Sequence, residues 1–137
     1  MIDALLGGNN SLAYSILSSM TEHGESRTMI LYMLTRQMRL MCYVPELHEQ
    51  ALSDIEIRKR LDLNERYPVS TTLTQAKLFT KEKRLELYQR AVDYEAGIKS
   101  GKMSESQGLD EMLTLLNSVI SRQKGTDSAR RTSYFQR

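Results

Sequence analysis

The stretch AGIKSGKMSESQG, Ala96 to Gly108, decides how the chain reads. Glycines around a lysine and a serine suggest a phosphate-binding loop, which would need a strand before it and a helix after it, and so a mixed α/β fold. The competing reading is a junction between two helices. Spacing separates the two. A phosphate loop has four residues between its glycines, then Lys and Ser or Thr; Gly97 and Gly101 have three between them, and Met103 stands where the magnesium-binding hydroxyl belongs. As a junction the stretch is consistent throughout. Gly101 falls where a helix C′ residue takes a positive φ without a Cβ penalty. Lys99 and Lys102 sit near the exposed carbonyls at the negative end of the helix dipole. Ser104 caps the next helix, and Gln107, three residues on, completes a capping box. Gly97 falls inside the first helix at a cost of up to about 1 kcal/mol. A close helix approach, a partner contact and slack sequence all stay open for it.

Helical periodicity extends on both sides. Thr80 is placed to cap a helix with two stripes: Leu85, Tyr88, Val92 and Ala96, and beside them Leu87, Ala91, Tyr94 and Ile98. Two stripes imply packing on two neighbours. Downstream, Leu109, Met112, Leu113, Leu116, Val119 and Ile120 share one face of a helix running from Glu105 to about Arg122. After Gly125 the pattern ends, and GTDSARRTSYFQR reads as polar tail.

Upstream, residues 25–44 form the longest pattern, apolar on most sides through Ile30, Met33, Leu34, Met38, Leu40 and Met41, which marks a central helix. Pro45 is expected to stop it. Ser53 and Glu56 form a capping box for a short helix ending near Leu61–Leu63. Pro68 suits the first turn of a helix from Val69 to about Leu78. Ser11 starts a further helix with Leu12, Ile16, Leu17 and Met20, ending near His23–Gly24. Ile2, Leu5 and Leu6 before Gly7–Gly8 read as the last turn of a helix from a preceding domain that is missing here. No segment alternates apolar and polar residues, and no repeat of 20–50 residues is visible. The expected fold is all-α, a compact bundle of five or six main helices. The expected domain spans residues 1–122, with 1–8 the end of the earlier helix and 123–137 a flexible basic tail.

The chain of 137 residues suits one domain. Its net charge of +2 is uneven: Arg122, Lys124, Arg130, Arg131 and Arg137 against Asp127 give the last 17 residues +4, leaving −2 for the rest. A nucleic-acid reader usually carries its basic stripe on the folded body, which here is near neutral. The one cysteine, Cys42, excludes an internal disulfide, as suits a reducing cytosol. No apolar run reaches the ~18 residues a membrane span requires, and MIDALLGG lacks the form of a signal peptide.

Catalytic and metal constellations are equally hard to find. His23 and His48 fall at helix ends or in loops, and Cys42, in an apolar helix, reads as a small core hydrophobe. His48 with Glu46 and Glu49 reads as a solvated loop face. Asp93 and Glu95, two apart on a helix, face away from each other. Asp110–Glu111 opens the last helix, where acids favour the dipole. The eight methionines are spaced as core filling. Arg36 and Arg39, three apart on a nearly all-apolar helix, have two readings. Their stems cover the core while their heads reach water, or they form an interface pair, Arg being enriched at protein–protein interfaces.

The order and spacing of several segments resemble the C-terminal domain of the bacterial DNA polymerase III delta subunit. The matching segments are MIDALLGGN, SLAYSILSSMTEHGE, LTRQMRLM (Leu34 to Met41), ALSDIEIRKRLDL and RYPVSTTLTQAKLFT. DYEAGIKSGKM (Asp93 to Met103) is the most telling, an acidic residue followed by Ile-Lys-Ser-Gly before the last helix. Coverage is about residues 1–120. The resemblance implies a helical collar domain that joins the gamma/tau and delta-prime subunits in the five-membered clamp loader, the machine that places the sliding clamp on primed DNA during replication. It implies a non-catalytic subunit of the DNA polymerase III holoenzyme in the bacterial cytoplasm, with no cofactor and no membrane. The sliding clamp would be contacted only through a missing N-terminal domain, and DNA at most indirectly. Exposure arguments mark Arg36, Arg39, Tyr94, Lys99 and Lys102 as possible partner-interface residues. The alternative from another class is a small helical nucleic-acid-binding domain using the basic tail and the lysines near Gly101; a small helical enzyme ranks last.

Overall fold

The computed structural model describes residues 26–135, with side chains described for 26–120. The expected helical segments at Met1–Leu6 and Ser11–His23 lie outside the described residues. Five helices follow: α1 Arg27–Glu49, α2 Asp54–Arg60, α3 Val69–Ala76, α4 Lys81–Lys99 and α5 Glu105–Phe135. Among the described residues there is no strand, and the fold is all-α.

Helix starts follow their caps. Ser26, Ser53 and Thr80 accept hydrogen bonds from the backbone N–H groups of Met29, Glu56 and Lys83, at 3.0, 3.3 and 3.1 Å. Ser104 does the same for Gln107 at 3.1 Å. Each bond satisfies one of the orphan donors of a first turn and is worth about 1 kcal/mol.

Helix ends depart from expectation at two main places. Pro45 does not stop α1; it lies inside the helix, which continues to Glu49. Proline removes one ladder bond at a cost of about 3 kcal/mol in a helix interior, but the last turn carries Leu47 into a hydrophobic cluster together with Leu52. The real stop is a Schellman motif. Ala51 N–H donates to His48 O at 3.0 Å and Leu52 N–H to Leu47 O at 3.3 Å, with Ala51 at φ 66°. The end of α2 is built the same way around Asp62 at φ 54°, with Leu63 N–H on Arg58 O at 2.8 Å. Neither Ala nor Asp is the usual residue there, although α2 stops where the sequence places its end. The second departure is α5, whose helical backbone passes Gly125 and reaches Phe135 instead of ending near Arg122. A lone glycine costs a helix about 1 kcal/mol without forbidding it, and no proline follows. The remaining adjustment is small: α3 ends at Ala76, two residues before the expected Leu78.

α1 is central, packing against each of the other four helices. Its ridge of Leu34, Met38 and Met41 faces α4 and α5, which supply Leu87, Ala91, Leu109, Met112 and Leu116 to the main core. A second ridge, Leu40 and Val44, meets Ile57 of α2 and Val69 of α3 in a smaller cluster. Burying each such side chain contributes about 1.5–3 kcal/mol. Between the clusters lies a polar knot. Gln37 donates to Gln75 Oε1 at 2.8 Å and accepts from the Tyr67 hydroxyl at 3.3 Å, while the Tyr67 and Thr72 hydroxyls share a hydrogen bond. Buried amide and hydroxyl groups tolerate such a site only when paired.

The Ala96–Gly108 junction is a helix–turn–helix. Gly101 has φ 78°, its N–H donates to Ile98 O at 3.1 Å, and Met103 N–H returns to Gly97 O at 3.2 Å. At Gly97 a Cβ would make ordinary contact with Met103 Cβ at 3.4 Å, so packing does not demand glycine there. Gly108, buried in the first turn of α5, is tighter still, since a Cβ would lie 2.7 Å from Ile98 Cδ1. The turn closes on itself through Ile98, Met103 and Gly108.

Candidate functional site

The residues that could act on something else lie on the outer face of α1 and the neighbouring face of α4. Helical spacing puts Met29, Tyr32, Met33, Arg36, Arg39 and Tyr43 on one side of α1, and all six are exposed. Tyr32 is 56% exposed and Tyr43 47%. Met33, expected in the core, is on this outer face, because the inward positions on that turn are taken by Ile30, Leu31 and Leu34. The two stripes of α4 resolve in the same manner. Leu87 and Ala91 are buried, with Tyr94 and Ile98 packed against the main core. Leu85 and Val92 from the other stripe are 51% and 40% exposed, while Tyr88 is half-buried.

Where α1 and α4 meet, Tyr43 and Leu85 flank a cleft of about 220 Å³. Its other lining residues are Cys42, Glu46, Lys81, Arg84 and Tyr88. Cys42 is half-buried at this cleft and is not the interior residue expected from the sequence. Burial pushes its thiol pKa up and the nearby Arg84 charge pulls it down, with burial the larger effect. A thiol held protonated in this way is a poor nucleophile. The Arg84 Nε is buried without a hydrogen-bond partner among the described residues.

The five residues singled out in the sequence fall in three places. Arg36 and Arg39 are exposed on the outer face of α1. Tyr94 is half-buried and packs against the main core. Lys99 and Lys102 are exposed at the α4–α5 turn. No hydrogen bond or ion pair joins any of them to one another among the described residues. Sequence reasoning missed the exposed Tyr32, Tyr43 and Leu85; Leu85 lay on a visible stripe whose outward direction was not legible, and Tyr32 and Tyr43 stood out by no signal in a helix apolar on most sides. His48 is exposed in the last turn of α1, not in a loop. Among the described residues no group of three or more His, Cys, Asp or Glu could hold a metal ion, and no helix is long and apolar enough to cross a membrane.

An exposed surface of Met, Tyr and Arg can bind a protein partner, since these types are enriched at protein interfaces. Comparison with known proteins gives this surface a context. The family model described as the C-terminal domain of the DNA polymerase III delta subunit matches residues 1–116. No curated protein matches the chain. The solved structure of the Bacillus subtilis DNA clamp loader delta protein is similar in fold, with TM-score 0.76 and 20% identity over 85% of this chain. The match covers 34% of that protein, so the chain spans only about a third of its length. Because the family model takes in most of the helical bundle, the chain belongs to the family of C-terminal domains of the DNA polymerase III delta subunit.

Proposed function

We propose that this chain is a collar-type oligomerisation domain of a clamp-loader delta subunit. In this reading it joins the gamma/tau and delta-prime subunits, and thereby helps assemble the machine that places the sliding clamp on primed DNA. The observation that carries the reading is the exposed stripe of α1, where Met29, Tyr32, Met33 and Tyr43 stand beside Arg36 and Arg39 and no described helix packs over them. Contiguous apolar surface of this kind marks an interaction site. Arg36 and Arg39 take the interface role of their two readings, with Lys99 and Lys102 at the far end of α4 as further contacts. Tyr94 is placed to support α4 from within. The domain itself is non-catalytic and works without a cofactor. Contact with the sliding clamp belongs to other parts of a delta subunit, and contact with DNA is at most indirect. Residues 123–137 are a basic extension outside the docking unit.

The test is assembly. The purified chain, mixed with a gamma/tau fragment or with delta-prime, should co-elute on a sizing column at concentrations well above about 1 μM. Arg36→Ala with Arg39→Ala should weaken that complex while leaving the helical circular-dichroism signal unchanged. Absence of a complex with either subunit overturns the reading. Salt-sensitive DNA binding that survives deletion of residues 123–137 would favour the nucleic-acid alternative.

A further inference from the structure

We infer that the cleft between α1 and α4 seats an acidic side chain of a neighbouring subunit, with Arg84 and Lys81 as its charge partners and Leu85, Tyr43 and Tyr88 enclosing its stem. This rests on the assembly reading above and names the chemistry of one contact within it.

Three observations converge here. The first is an unused donor. Arg84 Nε is buried with no acceptor among the described residues, which makes this guanidinium costly to leave unpaired; Nε itself has no open surface, so a partner meets the head through its other N–H groups. A planar guanidinium prefers a carboxylate, which it binds through paired hydrogen bonds. The second is charge. Lys81 and Arg84 line the cleft with Glu46 as the one opposing acid, and neither cation is ion-paired among the described residues. The resulting excess of positive charge attracts an acid. The third is continuity. Tyr43 belongs both to the cleft and to the exposed stripe of α1, so a partner lying along α1 reaches the cleft without leaving the surface. The mostly apolar walls suit a segment that presents a carboxylate among apolar neighbours and are poorly suited to a phosphate backbone, which needs several exposed cations in a row.

Cys42 lines the same cleft and is the chain's single cysteine, so it reports occupancy directly. The experiment measures iodoacetamide alkylation of Cys42 in the full chain, alone and in complex with the gamma/tau or delta-prime subunit, alongside the affinity of three variants. Occupancy should slow alkylation about tenfold, because reaction requires access to the thiol. Arg84→Met should weaken the complex about tenfold, Arg84→Lys less, and Glu46→Gln should tighten it about threefold by removing the competing acid. The sign of the Glu46→Gln effect is the part a merely structural role for Arg84 would not produce. A complex that forms with Cys42 unprotected, or with Glu46→Gln neutral or weakening, overturns the assignment of the cleft and leaves the assembly reading standing. Failure to form any complex overturns the assembly reading, and this assignment with it. If Arg84→Met unfolds, the alkylation rate of the native chain and the Glu46→Gln affinity still decide the matter.

Discussion

The two ends of α4 are built to opposite purposes. At its C-terminal end the turn to α5 is closed: Met103 N–H returns to Gly97 O, Gly101 supplies the positive φ, and Gly108 lets Ile98 lie against the start of α5. At its N-terminal end the junction with α1 stays open, with Leu85 and Tyr43 exposed and Arg84 Nε unpartnered among the described residues. One end commits its groups to the fold, and the other leaves them available to something else. A stretch with suggestive glycines and lysines is the structural end, and a stretch with no motif at all is the candidate for binding.

Substitutions at the two ends should therefore separate stability from assembly. The largest effect is expected at the closed end. Gly108→Val places a branched side chain where even a Cβ lies 2.7 Å from Ile98 Cδ1. Overpacking of this kind should cost about 1–3 kcal/mol in urea unfolding. If stability is unchanged, the turn is looser than this packing requires. Gly101→Ala is next. Its Cβ would meet nothing within 4 Å, so only the positive φ is penalised, at about 1–2 kcal/mol. Ala51→Gly, at φ 66°, is the mirror experiment and should raise stability by about 0.5–1 kcal/mol. A loss on that substitution would contradict the Schellman end of α1.

The open end should respond the other way. Leu85→Ser, at a half-exposed position, should change unfolding stability by less than about 0.5 kcal/mol while weakening the complex with a clamp-loader partner. Equal loss of both would make Leu85 a core residue. The smallest effect is expected at Glu86, which pairs with Lys83 at 2.7 Å. The hydrogen bond from Lys83 and then its charge lower the Glu86 pKa. The group's contribution is therefore present above the ordinary carboxylate pKa and is lost as pH falls through the lowered one. Because the carboxylate is fully exposed, Glu86→Gln should leave the midpoint of unfolding at pH 7 unmoved. A measurable drop there would show the pair to be part of a larger network.

Legibility followed physics at each level. Ser26, Ser53, Thr80 and Ser104 announced or confirmed helix starts because an N-cap needs a short polar side chain at one position. The stop at Ala51 was illegible because a left-handed C′ position can hold a residue other than glycine when the hydrogen bonds around it are good. Pro45 misled because its cost is local while Leu47 and Leu52 gain from a cluster formed with distant residues. Gln37 lies in a mostly apolar helix, and its partners Gln75 and Tyr67 are 38 and 30 residues away, beyond the reach of local pattern.

By itself the sequence determined that this chain is helical, that α1 is its central element, and that Ala96–Gly108 joins two helices. These properties depend on periodicity and caps, which act within a few residues. Only the tertiary structure decided which of the two stripes on α4 is core and which is surface, and that Cys42, Arg84 and Tyr43 meet at one cleft. A stripe records that a face is apolar. What covers that face is set by helices far away in the chain, and no described helix covers Leu85, Tyr32 and Tyr43.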